Sequence, residues 1–319
     1  MQLFVCGMHR SGTSMVARLL NLMGLYFGPE GSALPANREN PKGFWERRDV
    51  VALNDQLLMS ADSTWFNIYA FVARTAAWRP PQSLVDALRA KVLDIDAHRP
   101  WFVKDPRFCL TLPYWLEHCE RPVAVICSRS PESVIASLAK RTEITGLVLT
   151  RDESLALWEA YNVELLRASR GVPCVFVRYE DVLESPLDAC TRLAAELSRL
   201  GLRGMRDVDP PSVQAFVDAR LQRSDAATAP PPPRIGEIDR RVVGADADAA
   251  PPKISGESLA ALSRLHERLG TDRDLLRVLS VLALRRGDIE AAIEKRLDPS
   301  EETAWSVDAL RRLAGPGDA

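Results

Sequence analysis

The chain has 319 residues, is 46% hydrophobic and 26% charged, and carries a formal net charge of −2. It is long enough for one large domain with an appendage, and its balanced charge argues against the basic surface of a general nucleic-acid binder. Six cysteines without a C-x-x-C pair and four histidines without ligand spacing point to reduced core thiols and to no structural zinc.

The apolar run before His9 and Arg10 is too short for a signal peptide and has no cationic start. No window holds the ~18 uninterrupted apolar residues of a membrane span, so a soluble, cytoplasmic protein is expected. The Ala/Arg/Pro-rich composition suggests a bacterial source.

Along the chain, QLFVC (2–6) reads as a buried strand running into Gly7. Apolar residues at 15, 16, 19, 20, 22 and 23 predict a helix that Gly24 caps. The stretch between them, GMHRSGTS (7–14), has the outline of G-x-x-x-x-G-K-[ST] with Thr13 in the lysine position. Such a loop binds phosphate because successive backbone N–H groups and a helix N-terminus converge on the anion. The lysine and the hydroxyl after it serve a triphosphate and its magnesium. Without the lysine the loop is a cradle for a smaller anion, with Arg10 offering a cation.

Residues 25–50, rich in Gly, Pro and Asn, predict a long loop of the kind that carries function. Within it Glu46 follows Phe44 and Trp45, which could shelter its carboxylate well enough for it to act as a base.

WFVK (101–104), PVAVICS (122–128) and PCVFVR (173–178) are short, apolar and unalternating, as strands covered on both faces should be. Helices are predicted at 82–97, 131–141, 152–169 and 187–200. The alternation implies an α/β fold, a doubly wound parallel sheet flanked by helices, with ligands beyond the carboxyl ends of the strands. Two further motifs lie at such ends. In SRSPESVIASLAKR (128–141) Arg129 ends a strand, Ser130 and Pro131 open a helix, and Ser133 and Ser137 fall off the apolar stripe of Val134, Ile135 and Leu138. Arg129 with Ser137 makes a second anion site. In VKDPR (103–107), Lys104 and Arg107 could assist a leaving group or orient a substrate, and could equally form a structural ion pair with Asp105.

Residues 225–253, rich in Pro and Ala, read as an extended or disordered linker. Beyond them Leu259, Leu262, Leu265 and Leu269 begin a series of short helices. The expected division is a domain at 1–224, a linker at 225–254 and a small C-terminal helical appendage at 255–319, a candidate surface for homodimerisation or a partner.

Taken together, GMHRSGTS and RSPESVIASL resemble the sulfotransferase family that uses 3′-phosphoadenosine 5′-phosphosulfate (PAPS). The first is similar to that family's 5′-phosphosulfate loop, in which a Ser-Gly-Thr core replaces Gly-Lys-Thr. The second is similar to its 3′-phosphate motif, an arginine followed eight residues later by a serine. NPKGFWE, VKDPR, VRYEDV (177–182) and FVDARLQR (216–223) also look like bacterial members, so the resemblance spans roughly residues 1–223.

The resemblance implies a P-loop-like fold and in-line sulfuryl transfer to a hydroxyl or amine of a glycan, lipid or specialised metabolite, with no metal and with adenosine 3′,5′-bisphosphate as product. It implies donor contacts from Arg10, Ser11, Gly12, Thr13, Ser14, Arg129, Ser137 and Arg223. Glu46, Arg10 and Lys104 are then the catalytic candidates, with Glu30 and His9 as further candidates for the base. Residues 25–50, 60–80 (with Trp65, Phe66, Tyr69, Phe71 and Trp78) and 142–150 are candidate acceptor walls. Two other readings remain: a P-loop kinase of small molecules, which Thr13 disfavours, and a non-catalytic nucleotide-binding or scaffold protein acting through the C-terminal helices.

Overall fold

The computed structural model describes residues 1–35, 43–74, 78–145, 148–217, 231–244 and 249–270. In chain order the elements are β1 (Gln2–Cys6), α1 (Thr13–Leu22), α2 (Arg48–Met59), α3 (Tyr69–Ala73), α4 (Gln82–Asp96), β2 (Trp101–Lys104), α5 (Phe108–Leu116), β3 (Pro122–Ser128), α6 (Pro131–Thr145), α7 (Arg151–Ala168), β4 (Cys174–Arg178), α8 (Tyr179–Glu184), α9 (Pro186–Arg199), α10 (Pro210–Phe216), α11 (Pro233–Val242) and α12 (Gly256–Gly270).

The strands form one parallel sheet in the order β2-β1-β3-β4, with Gln2 level with Trp101 on one side and Pro122 on the other. All five residues of β1 are buried because side chains on both faces meet helices. Leu3 and Val5 join the apolar cluster under α1, α9 and α10, while Phe4 and Cys6 join the cluster under α4, α5, α6 and α7. The expected doubly wound parallel sheet is the observed one.

The connection from β1 leads to β2 on one side, and the chain then returns across the sheet to β3 on the other. The carboxyl ends of β1 and β3 therefore flank a topological switch point, where the turns diverge and leave a crevice. The helix after the first turn is stopped as its sequence predicts. Gly24, at φ 87°, donates its N–H to Asn21 O, and Leu25 donates to Leu20 O, the paired bonds of a Schellman motif.

Among the helices not legible in the apolar pattern are α2 and α5. The segment expected to stay irregular to residue 50 enters α2 at Arg48. The buried side of α2 contains Asn54 and Asp55 as well as Val50, Val51, Leu57 and Leu58, so its apolar period is interrupted. In α5 the run FCLTLPYWL is apolar nearly all round and carries Pro113 inside the helix, which hides the period of 3.6.

The region expected to be an extended linker also differs. Pro233 opens α11, whose Ile235, Ile238 and Val242 are buried. Helix α12 follows and buries Ala261, Leu262 and Leu265 in the same cluster as Phe4 and Val103 of the sheet. A buried carboxylate on α7 secures both. Glu159 accepts hydrogen bonds from Arg234 Nε (2.8 Å), the Ser255 N–H (2.7 Å) and hydroxyl (2.9 Å), and the Ser258 hydroxyl (2.6 Å). Burial raises its pKa, and these donors more than offset that, leaving it below the usual carboxylate range. The remainder of the expected helical appendage, 271–319, lies outside the described residues.

All six cysteines are free, and burial pushes the Cys127 thiol up to about 12, so it stays protonated and unreactive. Among the described residues no helix is long and apolar enough to cross a membrane.

If α12 is packed as described, Leu265→Ala, which empties a fully buried site, should cost ~2–5 kcal/mol in urea unfolding. A loss below about 0.5 kcal/mol, the value of a surface substitution, would place α12 off the core.

Candidate functional site

Because β1 pairs with β3 so that Cys6 lies level with Ile126, Gly7 comes off the sheet beside Cys127. Gly7 has φ 152°, and a Cβ there would stand 2.4 Å from the Cys127 carbonyl oxygen, so the turn admits only glycine. The chain then folds back, with the Ser11 N–H bonded to Met8 O at 3.1 Å. Arg10 (φ 73°) and Gly12 (φ 85°) are both left-handed. Gly12 is the N-cap of α1 and has no capping side chain, so the loop and the first turn of the helix present backbone amides to whatever lies in the crevice. Thr13 is buried in that first turn.

The second turn, after β3, meets the first. Arg129 Nη1 donates to the carbonyl oxygen of Arg10 at 3.1 Å, and Arg10 Nε donates to the Ser137 hydroxyl oxygen at 2.8 Å. Ser133 and Ser137, which fall off the apolar stripe in sequence, are both buried, Ser137 against Arg10. Ser130 caps α6 as expected, its hydroxyl accepting the Ser133 N–H at 3.3 Å. Burial lowers the Arg129 pKa from the ordinary arginine value, although Tyr179 and Glu180 oppose that shift. The residues of the two separate motifs are thus in direct contact.

A third group comes from the loop before α2 and the end of β2. The Lys104 ammonium donates to Glu46 Oε1 (2.5 Å), to the Phe44 carbonyl (3.1 Å) and to the Ser14 hydroxyl oxygen (3.3 Å). Ser14 donates its own proton to the Phe44 carbonyl at 2.9 Å. Trp45, at φ 54°, is left-handed, which turns the Phe44 carbonyl and the Glu46 side chain toward the same ammonium. A bulky residue in that conformation is strained, and such strain gathers where function fixes the backbone. The Arg18 guanidinium lies 5.0 Å from the centre of the Trp45 ring. Bonds from Leu34 N–H to Glu46 O (2.8 Å) and from Arg48 N–H to Ser32 O (3.0 Å) pin the loop's two ends together. Glu46, Lys104 and Ser14 therefore form one connected unit at the head of α1.

Asp105 and Arg107 belong to a different, wholly structural network. Asp105 Oδ1 accepts from Arg107 Nη1 (3.0 Å) and from the Arg107 N–H (2.9 Å), and Asp105 Oδ2 accepts from Asn54 Nδ2 (2.9 Å). Arg107 Nε reaches Asp55 at 2.6 Å, and Asn54 Oδ1 accepts from Trp115 Nε1 and lies 2.8 Å from the Thr111 hydroxyl. Burial opposes the charge on Arg107, but Asp105 and Asp55 raise its pKa beyond the ordinary arginine range. Burial also raises Asp55 above the usual carboxylate value, against the attraction of Arg107. Of the two roles open to Arg107 in the sequence, the structural ion pair is the one seen.

The remaining sequence candidates separate clearly. Glu30 is exposed on the loop. His9 is buried at the turn, its ring 4.6 Å from that of Trp65, whose carbonyl accepts the Tyr161 hydroxyl at 2.6 Å. Trp65 thus borders the loop at His9. Arg223 lies outside the described residues, as does part of the segment 142–150.

Sequence reasoning passed over Tyr179, which sits in the quoted VRYEDV without an assigned role. A Cβ on Gly12 would stand 2.4 Å from Tyr179 Cδ2, and the Arg129 guanidinium lies 4.4 Å from the centre of the Tyr179 ring. Only the pairing of β3 with β4 could have revealed this. Among the described residues no cluster of His, Cys, Asp and Glu could hold a metal ion.

Gly12→Ala combines backbone strain with a clash against Tyr179, whereas Gly31→Ala, with φ 77° and open surroundings, carries the strain alone. Thermal unfolding should show the first variant destabilised by more than ~1 kcal/mol and clearly more than the second. Equal shifts would mean that Tyr179 does not seal the loop.

A model of the sulfotransferase family matches residues 2–201, well over half of the chain. Among solved structures, a sulfotransferase domain from the curacin biosynthetic pathway is 16% identical, with TM-score 0.40, and the match covers 82% of this chain and 96% of that one. A sulfotransferase domain from the Synechococcus PCC 7002 olefin synthase is 19% identical, with TM-score 0.37, covering 83% and 94% of the two chains. No curated protein matches the chain.

Proposed function

The chain belongs to the sulfotransferase family, and we propose that it moves a sulfuryl group from PAPS to a hydroxyl or amine of a glycan, lipid or specialised metabolite. The observation that carries this reading is the contact between the two anion sites, with Arg10 Nε 2.8 Å from Ser137 Oγ and Arg129 Nη1 3.1 Å from Arg10 O. A donor with one anionic group at its 5′ end and a separate 3′-phosphate needs two such sites side by side. A triphosphate instead needs a Walker lysine, and Thr13 stands in its place.

The crevice suits the donor on structural grounds. Gly7 and Gly12 let the loop backbone pack directly against Cys127 and Tyr179, and the first turn of α1 that follows has no capping side chain on its amides. When bound, PAPS supplies an activated sulfuryl group on a phosphate leaving group. The amides of Gly12, Thr13 and Ser14 and the Arg10 guanidinium would hold the 5′ end and counter negative charge growing on the leaving oxygen. Charge-assisted bonds of this kind contribute roughly 1.5–3 kcal/mol each. Arg129 and Ser137 would hold the 3′-phosphate.

Glu46 is the base of this reading. It is buried at the head of α1 and oriented by Lys104, and it would take the acceptor proton as the new bond forms. Lys104 also reaches Ser14, so one cation fixes the base relative to the loop that binds the donor. Glu30, exposed and away from these groups, is the weaker choice. His9 lies closer, against Trp65, on the side proposed for the acceptor.

Glu46→Gln keeps an oxygen for Lys104 but removes the base. It should lower turnover by ~10²–10⁴-fold while leaving the affinity for adenosine 3′,5′-bisphosphate unchanged. Turnover equal to wild type would take Glu46 out of the role.

A thermal-shift assay tests the whole reading. Adenosine 3′,5′-bisphosphate without magnesium should raise the melting temperature, by about 2.7 kcal/mol of added stability at one hundred times its dissociation constant. Stabilisation by Mg-ATP alone would favour the kinase.

A further inference from the structure

Helix α12 lies beyond the stretch that the family model matches, which ends at residue 201. Its middle is seated in the core by Ala261, Leu262 and Leu265, so its last turn has a fixed place. That turn touches two of the segments expected to border the acceptor, 60–80 and 142–150. On one side His266 Nδ1 lies 3.0 Å from Asn67 Oδ1, and its ring is centred 5.7 Å from that of Tyr69. Asn67 is buried and its Nδ2 meets no hydrogen-bond partner among the described residues, so His266 is the group that orients the amide. Asn67 in turn closes a tight turn with Thr64. The Thr64 N–H donates to Asn67 O at 3.0 Å, and the Asn67 N–H donates to Thr64 Oγ1 at 3.2 Å. Trp65 stands inside that turn, its ring 4.6 Å from that of His9 in the loop after β1.

On the other side Arg268 Nη2 lies 2.7 Å from both carboxylate oxygens of Glu153 and 3.3 Å from Val148 O. Glu153 also accepts the Thr150 N–H at 2.8 Å, in the capping box that starts α7. Next to it, Arg151 is bonded to Glu132 in the first turn of α6 at 2.7 Å.

We propose that His266 and Arg268 are positioning residues for the acceptor, an inference that rests on the function proposed above. Two residues apart on a helix, they leave it on different sides, so the body of α12 sets the spacing between the Thr64–Asn67 turn and the start of α7. Arg268 is nearly half exposed, and ion pairs of that kind add little to global stability. Its geometry matters more, because one guanidinium meets a carboxylate and a carbonyl and so fixes the direction in which α7 begins. The donor turns after β1 and β3 are held by contacts of their own, Arg10 to Ser137 and Arg129 to Arg10, so the brace acts on the acceptor side alone.

The test follows turnover of labelled PAPS with 4-nitrophenol as the acceptor probe, and measures adenosine 3′,5′-bisphosphate affinity by calorimetry. His266→Ala and Arg268→Ala should each lower kcat/KM for 4-nitrophenol roughly tenfold, while changing the bisphosphate affinity less than about twofold. His266→Asn, which keeps a nitrogen near the place of Nδ1, and Arg268→Lys, which keeps the cation, should recover most of the loss. The emission of Trp65, taken as the difference between each protein and its Trp65→Phe counterpart, needs no acceptor. Loosening the turn draws the indole away from the His9 ring that quenches it, so His266→Ala should brighten this emission. That measurement decides the question for a protein inactive on 4-nitrophenol.

Equal losses of acceptor turnover and bisphosphate affinity would reduce α12 to general packing. Alanine variants with wild-type turnover on 4-nitrophenol would overturn the proposal, as would conservative variants that recover nothing. In a protein inactive on that probe, unchanged Trp65 emission would do the same. Wild-type protein that binds no bisphosphate would instead remove the sulfotransferase reading, and a Trp65 emission that still answers to His266→Ala would leave the brace standing without it.

Discussion

The Gly7 backbone passes so near the carbonyl of Cys127 that an added Cβ would stand 2.4 Å from its oxygen. Everything in the site depends on it. With a side chain at residue 7, β1 and β3 could not remain paired to their carboxyl ends while the chain turned upward between them. With glycine there, the turn leaves the sheet at its switch point and brings Arg10 beneath Arg129 and beside Ser137. The parallel topology supplies the crevice, and the single missing Cβ lets the loop occupy it.

A second constraint is electrostatic. The lysine position of the loop holds Thr13, yet a cation still reaches the head of α1, delivered by β2 as Lys104. This ammonium is almost wholly buried and is stabilised by Glu46 at 2.5 Å and by two oxygens. Removing one member of a buried ion pair typically costs 3–5 kcal/mol because the other is left uncompensated. The pair therefore belongs to the fold as much as to the chemistry. A cation anchored to a carboxylate on one side and to a hydroxyl of the loop on the other cannot follow a γ-phosphate as a flexible Walker lysine does. In the function proposed above, it would hold Glu46 as the base at a set distance from the donor loop, which is what transfer to an external nucleophile needs.

Particular residues show what the sequence made legible. The strands and the turns after them were readable because an apolar strand ending in Gly7, or in Arg129 followed by Ser130 and Pro131, has only a few local solutions. Lys104 and Glu46 were recognisable as charged groups in apolar company, although their contact, 58 residues apart in the chain, was not. Helix α5 was hidden because it is apolar nearly all round, and α2 because its buried face carries Asn54 and Asp55, polar residues satisfied from other elements. Periodicity cannot distinguish such a stripe from a solvated one. Tyr179 was hidden for a related reason. Its role comes from β4 lying next to β3, a fact of topology that no local pattern encodes.

The same logic explains why Pro- and Ala-rich composition misread the region around α11. Composition measures what a segment can bury by itself, and Ile235, Ile238 and Val242 are too few to make a core. They become ordered by docking on α7, where Glu159 gathers donors from α11 and α12. Two residues further along α7, Tyr161 donates to the Trp65 carbonyl, and the Trp65 ring lies against that of His9 in the loop after β1. From α12, His266 approaches Asn67 in the same segment at 3.0 Å. Helix α7 is thus a shared beam, with the described C-terminal helices bound to one part of it and the wall beside His9 to the next. Asn67 and His266, nearly two hundred positions apart in the chain, are thus held in direct contact beside this helix.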